Sequence, residues 1–154
     1  MTEVFDTKTK VFDSDMVTVA IAVIKRSDGK VLLGHRRDDH YRRPGEWEFP
    51  GGKAEKGETP QQAVVREAFE ETNLKVSVVK DLMSTTCDYP DGKYRYVRVF
   101  AVAPETDDPQ PVSTSGDYVE FRWVDPTDKT AWSDNRIPPT DRAILNQAAF
   151  AGEL

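Results

Sequence analysis

The sequence predicts a sandwich of strands and helices in one domain. Three observations point there. Runs rich in β-branched and aromatic residues recur along the chain, only two stretches carry helical periodicity, and turn-forming residues separate the runs. The alternation alone leaves α/β and α+β both open. A length of 154 residues fits a single domain with a substantial core.

The elements follow in order. Residues 1–15 mix Val4, Phe5, Val11 and Phe12 with charges and threonines, and are expected to form an arm or an edge strand. Residues 16–25 (MVTVAIAVIK) read as a strand by their β-branched content. Asp28-Gly29 is a turn signal, and residues 30–35 (KVLLGH) then read as the returning strand. Residues 36–44 are a charged loop. Residues 46–49 are a short strand ended by Pro50-Gly51-Gly52.

Residues 60–72 predict a helix with clear end signals. Thr59 is placed to cap it, Pro60 suits the first helical position, and Gln62 completes a capping box. Ala63, Val64, Ala68 and Phe69 fall at helical spacing, and Asn73 suits a left-handed C-terminal residue. Residues 76–86, 93–103 and 118–124 read as strands, with Asp91-Gly92 turning the first into the second. Residues 104–116 form a polar loop and 125–138 are irregular. Residues 140–150 predict a second helix with Ile144, Leu145 and Ala148 inward. The domain is expected to span 16–154.

Composition narrows the function. The chain has 21 basic and 27 acidic residues, for a net charge of −6, and a pI near 5.0. Bulk-charge binding of nucleic acid is not expected. Mean hydropathy is −0.62, and no run approaches the ~18–20 apolar residues of a spanning helix. The N-terminus lacks the pattern of a secretory signal. A single cysteine, Cys87, excludes an intrachain disulfide and a thiolate-rich zinc site. A cytoplasmic location is expected. An acidic chain should also repel phosphate-rich ligands unless a cation stands between them.

Chemistry concentrates in residues 51–74. Glu67, Glu70 and Glu71 stand at i, i+3 and i+4, on one face of the first helix. Three like charges there call for a counter-ion that one arginine, Arg66, does not supply. Oxygen-only ligands of this density suit Mg²⁺, Mn²⁺ or Ca²⁺. Taken alone, such a face is read as a solvated one. The preceding glycine-rich loop changes that, because amides at a helix N-terminus attract anions. Metal-holding carboxylates beside phosphate-accepting amides suggest a diphosphate–metal site.

The stretch resembles the signature of the Nudix hydrolase family, G-x5-E-x7-R-E-U-x-E-E-x-G-U with U a bulky aliphatic residue. Gly52, Glu58, Arg66, Glu67, Glu70, Glu71 and Leu74 match at the required spacing. Asn73 replaces the last glycine and Ala68 a bulkier residue. The lead-in WEFPGG, residues 47–52, and the run after it most resemble the MutT-like branch, which acts on nucleoside triphosphates. The resemblance implies a Nudix fold, an α/β/α sandwich with a mixed sheet. It implies Mg²⁺- or Mn²⁺-dependent pyrophosphohydrolysis of a nucleoside triphosphate, with an oxidised purine deoxynucleotide among the candidates. It places metal at Gly52, Glu67, Glu70, Glu71 and Glu120, with Arg66 pairing a box carboxylate such as Glu58. The family also includes dimers, so a homodimer is open and residues 1–15 are available to it.

Other positions extend the site. Glu120 is preferred over Asp117 as the further acid, for its longer reach. Its alternative is an exposed position on an alternating strand. Residues 35–43 hold four arginines and two aspartates. Arg36, Arg37, Arg42 and Arg43 are candidates for phosphate, Arg37 foremost, and a solvated loop is the alternative. Lys53 and the amides of Gly51 and Gly52 are further candidates. By resemblance, Asp141 or Thr140 reads the base; helix capping is the alternative. Trp132 is the best stacking aromatic, ahead of Tyr96, Phe100 and Trp123. His35 and His40 lack a nucleophile partner.

Two rival functions remain at this level. One is a Nudix hydrolase of a nucleotide sugar, dinucleotide or other diphosphate. The other is a non-catalytic nucleotide sensor on the same fold. A Ca²⁺-binding helical protein is excluded by the lack of an EF-hand loop.

Overall fold

A computed structural model of the chain describes residues 16–39, 43–88, 92, 94–132 and 136–151. The expectations for residues 1–15, His40 and Arg42, and for the side chains of Cys87 and Ala148, lie outside what is described.

Among the described residues there are seven strands and two α-helices. They are β1 (Val17–Ile24), β2 (Val31–Arg36), β3 (Trp47–Glu48), β4 (Gly51–Lys53), α1 (Pro60–Thr72), β5 (Val76–Asp88), β6 (Tyr94–Pro104), β7 (Tyr118–Val124) and α2 (Pro139–Ala151). A short 3-10 turn at Lys129–Ala131 interrupts the irregular stretch before α2. One sheet has the order β4-β1-β6-β5 and the other β3-β2-β7. The first is mixed, because β1 and β6 run parallel while their outer partners run antiparallel.

Alternation along β1 explains the layers. Ala20, Ala22 and Ile24 join Ala63, Val64, Ala68, Phe100 and Val102 in a core under α1. Ile21 and Val23 face the other way, into a core with Trp47, Phe49, Val99, Ile144 and Leu145 of α2. The result is an α/β/α sandwich. Among the described residues no helix is long and apolar enough to cross a membrane.

Two local expectations are corrected. Asp28-Gly29 does turn the chain, with Gly29 at φ 89°, yet β1 and β2 are not a hairpin. The turn's ends are joined by a Lys25–Val31 bridge and by the Arg26 N–H donating to Lys30 O, and beyond them the strands part into different sheets. β1 is buried on both faces and takes β6 as its parallel neighbour instead. The short strand does end before Pro50, but Gly51-Gly52, read as part of a glycine-rich loop, pairs as β4 with Ala20 and Ile21. The bare backbone permits that approach, since a Cβ on Gly51 would run into the backbone of Ala20.

Helix α1 forms as its end signals dictate. Thr59 Oγ1 accepts from Gln62 N, and Thr59 N donates to the Gln62 side chain, closing the capping box. Asn73 sits at φ 62° and its N–H donates to Phe69 O, so an asparagine serves where the signature has glycine. Ala63, Val64 and Ala68 are buried, whereas Phe69 is 43% exposed. The polar loop after β6 docks on the end of α1, with Val112 N donating to Thr72 O and Thr114 Oγ1 to Glu70 O.

Candidate active site

The box glutamates leave α1 toward β4. Glu67 lies against Gly52 so closely that any Cβ on Gly52 would collide with the carboxylate. Glu71 is buried, and its Oε1 accepts from Gly51 N at 2.9 Å. Glu70 is more open, with its side chain 53% exposed. Each glycine therefore has its own structural reason: the Glu67 carboxylate occupies the space where a Gly52 side chain would be, and the backbone of Ala20 and Ile21 fills that space at Gly51.

Arg66 ties this face to the loop. Its Nε and Nη2 donate to the two oxygens of Glu58 at 2.7 and 2.9 Å. Its Nη1 donates to Glu67 Oε2 and to Glu70 Oε1, each at 3.0 Å, and Nη2 also reaches Lys53 O. The pairing anticipated for Arg66 with Glu58 is thus present, together with an i,i+4 pair to Glu70. The guanidinium holds the Glu58 carboxyl down at about 2. Burial acts the other way on two of the helix acids: it pushes Glu67 up, and pushes Glu71 up to about 8.

Behind Glu71 lies a cluster that sequence reasoning passed over. Glu48 is buried and accepts from Tyr118 Oη at 2.8 Å. It also meets Arg36 Nη2 at 2.9 Å and Arg43 Nη2 at 3.0 Å. Tyr118 Oη lies 3.4 Å from Glu71 Oε1. A signal for this cluster was available in Gly34, a lone glycine inside a strand, which marks a close approach by another group. Here that group is the Tyr118 ring, within 2.9 Å of where a Gly34 Cβ would stand.

The other candidates divide. Arg37 is exposed with Nε 3.5 Å from Asp39, and Lys53 is exposed at the end of β4. Arg36 is not a surface phosphate group: it is 2% exposed and spent on Glu48. Asp141 is neither a helix cap nor a surface residue. It lies buried in the first turn of α2, and its Oδ2 accepts from Phe49 N at 2.8 Å. Burial pushes Asp141 up to about 7.

Glu120 is not brought to the box. It pairs in register with His35, next to the Gly34–Glu48 pair, so its side chain leaves the opposite face of that sheet. Its carboxylate lies 3.4 Å from His35 Nδ1, and His35 stacks on Trp47 at 4.4 Å. Trp132 is not a free stacking surface either. It is 2% exposed in the α2-side core, with Nε1 donating to Pro126 O. Phe100 is likewise buried.

The donor set suits a hard divalent cation. Glu67, Glu70 and Glu71 offer only oxygen, and the half-buried Glu67 and the buried Glu71 meet the bare backbone of Gly52 and Gly51. Among the described residues no three acidic, histidine or cysteine side chains already converge on one point. Arg66 supplies the positive charge among them instead, bonded to Glu67 and Glu70.

Fold and residues together define a class. The model of the NUDIX domain matches residues 15–146, and the chain belongs to the Nudix family. It is 37% identical over 79 residues to an 8-oxo-dGTP diphosphatase of Proteus vulgaris, a match covering 51% of this chain and 70% of that one. It is 44% identical over 63 residues to a CTP pyrophosphohydrolase of Escherichia coli, covering 41% and 45%. The chain spans about half the length of the curated relatives it matches. The crystal structure of a MutT protein from Methanosarcina mazei superposes with a TM-score of 0.73 at 20% identity, covering 90% of this chain and 96% of that one, which establishes the shared fold.

Proposed function

We propose that this protein is a Nudix pyrophosphohydrolase that cleaves a nucleoside triphosphate to the monophosphate and pyrophosphate with Mg²⁺ or Mn²⁺. The observation that carries it is the seating of Glu67 against Gly52 and of Glu71 on Gly51 N, with Glu70 on the same helix face and held by Arg66. These carboxylates would hold the cation, which supplies charge neutralisation on the diphosphate and an acidified water. Glu120 has no part in that set, for the reason of placement given above.

The chain's own residues account for the rest by positioning and electrostatics. Arg66 orients Glu67 and Glu70 while satisfied by Glu58. Arg37 and Lys53, both exposed, are placed to meet phosphate oxygens. Asp141, fixed on Phe49 N, is the residue proposed to read the base. The relatives named as an 8-oxo-dGTP diphosphatase and a CTP pyrophosphohydrolase support a triphosphate while differing in base. Neither a membrane nor a nucleic-acid partner is proposed.

The test is a product-resolved panel of canonical and oxidised dNTPs, CTP, nucleotide sugars, dinucleoside polyphosphates and ADP-ribose, with Mg²⁺ or Mn²⁺. Monophosphate and pyrophosphate from a triphosphate are expected. Glu70→Gln should lower turnover on the order of 100-fold with the fold intact, the usual size of one electrostatic contribution to the transition state. Preference for a nucleotide sugar or dinucleotide would replace the substrate class. No turnover of any member would replace the enzyme with a nucleotide sensor. Asp141→Asn should change relative rates among bases, and a uniform change would remove Asp141 from base reading.

A further inference from the structure

Tyr118 stands where it does because of an irregularity in β7. His35 pairs with Glu120, yet the next residue, Arg36, pairs with Tyr118, so Val119 is extra. In regular alternation Tyr118 would share a face with Glu120. The one-residue bulge turns it to the opposite face, where Arg36, Gly34 and Glu48 lie. Gly34 then gives the ring its place: a Cβ there would sit 2.8 to 2.9 Å from three of the ring carbons. The ring is 4% exposed and lies beneath the Arg36 guanidinium, 5.8 Å from its centroid.

The hydroxyl ends between two buried carboxylates. It lies 2.8 Å from Glu48 Oε2 and 3.4 Å from Glu71 Oε1. A phenol O–H carries one proton to donate. Arg36 and Arg43 balance Glu48. Among the described residues Glu71 has no arginine bond; its partners are Gly51 N at 2.9 Å and this hydroxyl, shared with Glu48, at 3.4 Å. Both fall on Oε1, and among the described residues no hydrogen bond takes Oε2.

We infer that Tyr118 is a positioning residue for the metal site: its hydroxyl and Gly51 N together engage one oxygen of Glu71 and leave the other to face the cation. The inference rests on the metal-binding role proposed above for Glu71. A tyrosine that only filled the core would need its ring and not its oxygen, since phenylalanine fills nearly the same volume. The oxygen aimed at Glu48 and Glu71 is what that alternative leaves unexplained. Partners that orient a ligand from behind are known to affect metal affinity about 10- to 100-fold.

The experiment is Mn²⁺ binding without nucleotide, followed by the EPR signal of free Mn²⁺, on the full chain. Wild type is compared with Tyr118→Phe and Gly34→Ala, each checked for folding by circular dichroism. Tyr118→Phe should weaken Mn²⁺ binding about 10-fold, because Glu71 Oε1 then loses the hydroxyl whose one proton it shares with Glu48. Gly34→Ala should weaken it too, because the added methyl displaces the ring and its hydroxyl. Wild-type affinity in either folded variant overturns the role of Tyr118 while leaving the metal site standing. Wild-type protein that binds no Mn²⁺ overturns the metal site itself, and this inference with it.

Discussion

The backbone N–H of Phe49 donates to Oδ2 of Asp141 at 2.8 Å, joining residues 92 positions apart. One bond thus fixes the first turn of α2 against the segment that leads into Gly51-Gly52. It also explains why an acid is tolerated in a core: a buried amide without an acceptor costs about 1–3 kcal/mol. The same burial makes the carboxyl reluctant to ionise.

Asp141 therefore predicts a pH dependence of stability. Its carboxyl is pushed up to about 7 in the folded protein, against 3.8 for an ordinary aspartate. The folded state holds the proton where the unfolded chain has released it. This contribution is full below the unfolded value and is lost as pH rises toward 7. A shift of that size corresponds to a few kcal/mol, on the order of 2–4. Asp141→Asn keeps an acceptor for Phe49 N and has no charge to bury. Urea unfolding in EDTA should show the variant gaining on wild type between pH 5 and pH 8. Parallel stability curves would contradict the assignment.

The end of α1 supplies a second prediction. Asn73 holds φ 62° and closes the helix on Phe69 O. A residue with a Cβ and no local hydrogen-bonding group pays about 1–2 kcal/mol in that conformation. Asn73→Ala should lower stability by about 1 kcal/mol, read as a drop in the thermal midpoint. Asn73→Gly should match wild type or exceed it slightly. If alanine and glycine behave alike, the left-handed residue is not what ends the helix.

Helix α1 was legible residue by residue because caps are local chemistry. Thr59, Pro60, Gln62 and Asn73 each act within four positions of their partners. The grouping of Glu67, Glu70 and Glu71 follows from helical spacing alone. Choice of strand partner is not local, so Asp28-Gly29 suggested a hairpin where the chain changes sheet. Glu120 and Tyr118 show the same failure more sharply. Period-two alternation puts them on one face, and a single extra residue, Val119, puts them on opposite faces. Trp132 looked exposed because its loop is irregular, yet loops also fold back to plug cores. Glu48 read as an ordinary strand residue because Arg36, Arg43 and Tyr118 reach it only in three dimensions.

The two glycines of β4 should separate stability from activity. A methyl on Gly51 would strike the backbone oxygen of Ala20 and lie 3.0 Å from the Ile21 Cα, atoms of a central strand that cannot yield. Gly51→Ala should cost about 1–3 kcal/mol, the usual range for overpacking, and shift the thermal midpoint accordingly. The nearest atoms to a methyl on Gly52 would be those of the Glu67 carboxylate, the end of a flexible side chain. That carboxylate can swing away, so Gly52→Ala should stay within about 0.5 kcal/mol of wild type. Swinging away also removes Glu67 from the place where Arg66 now holds it at 3.0 Å. Misplacing a reacting group by about an ångström can cost on the order of 100-fold in rate. Gly52→Ala should therefore be a well-folded protein with strongly reduced metal-dependent turnover. Measuring unfolding and initial rates on the same preparations decides the matter: full activity in Gly52→Ala would mean that the position of Glu67 does not matter to the chemistry.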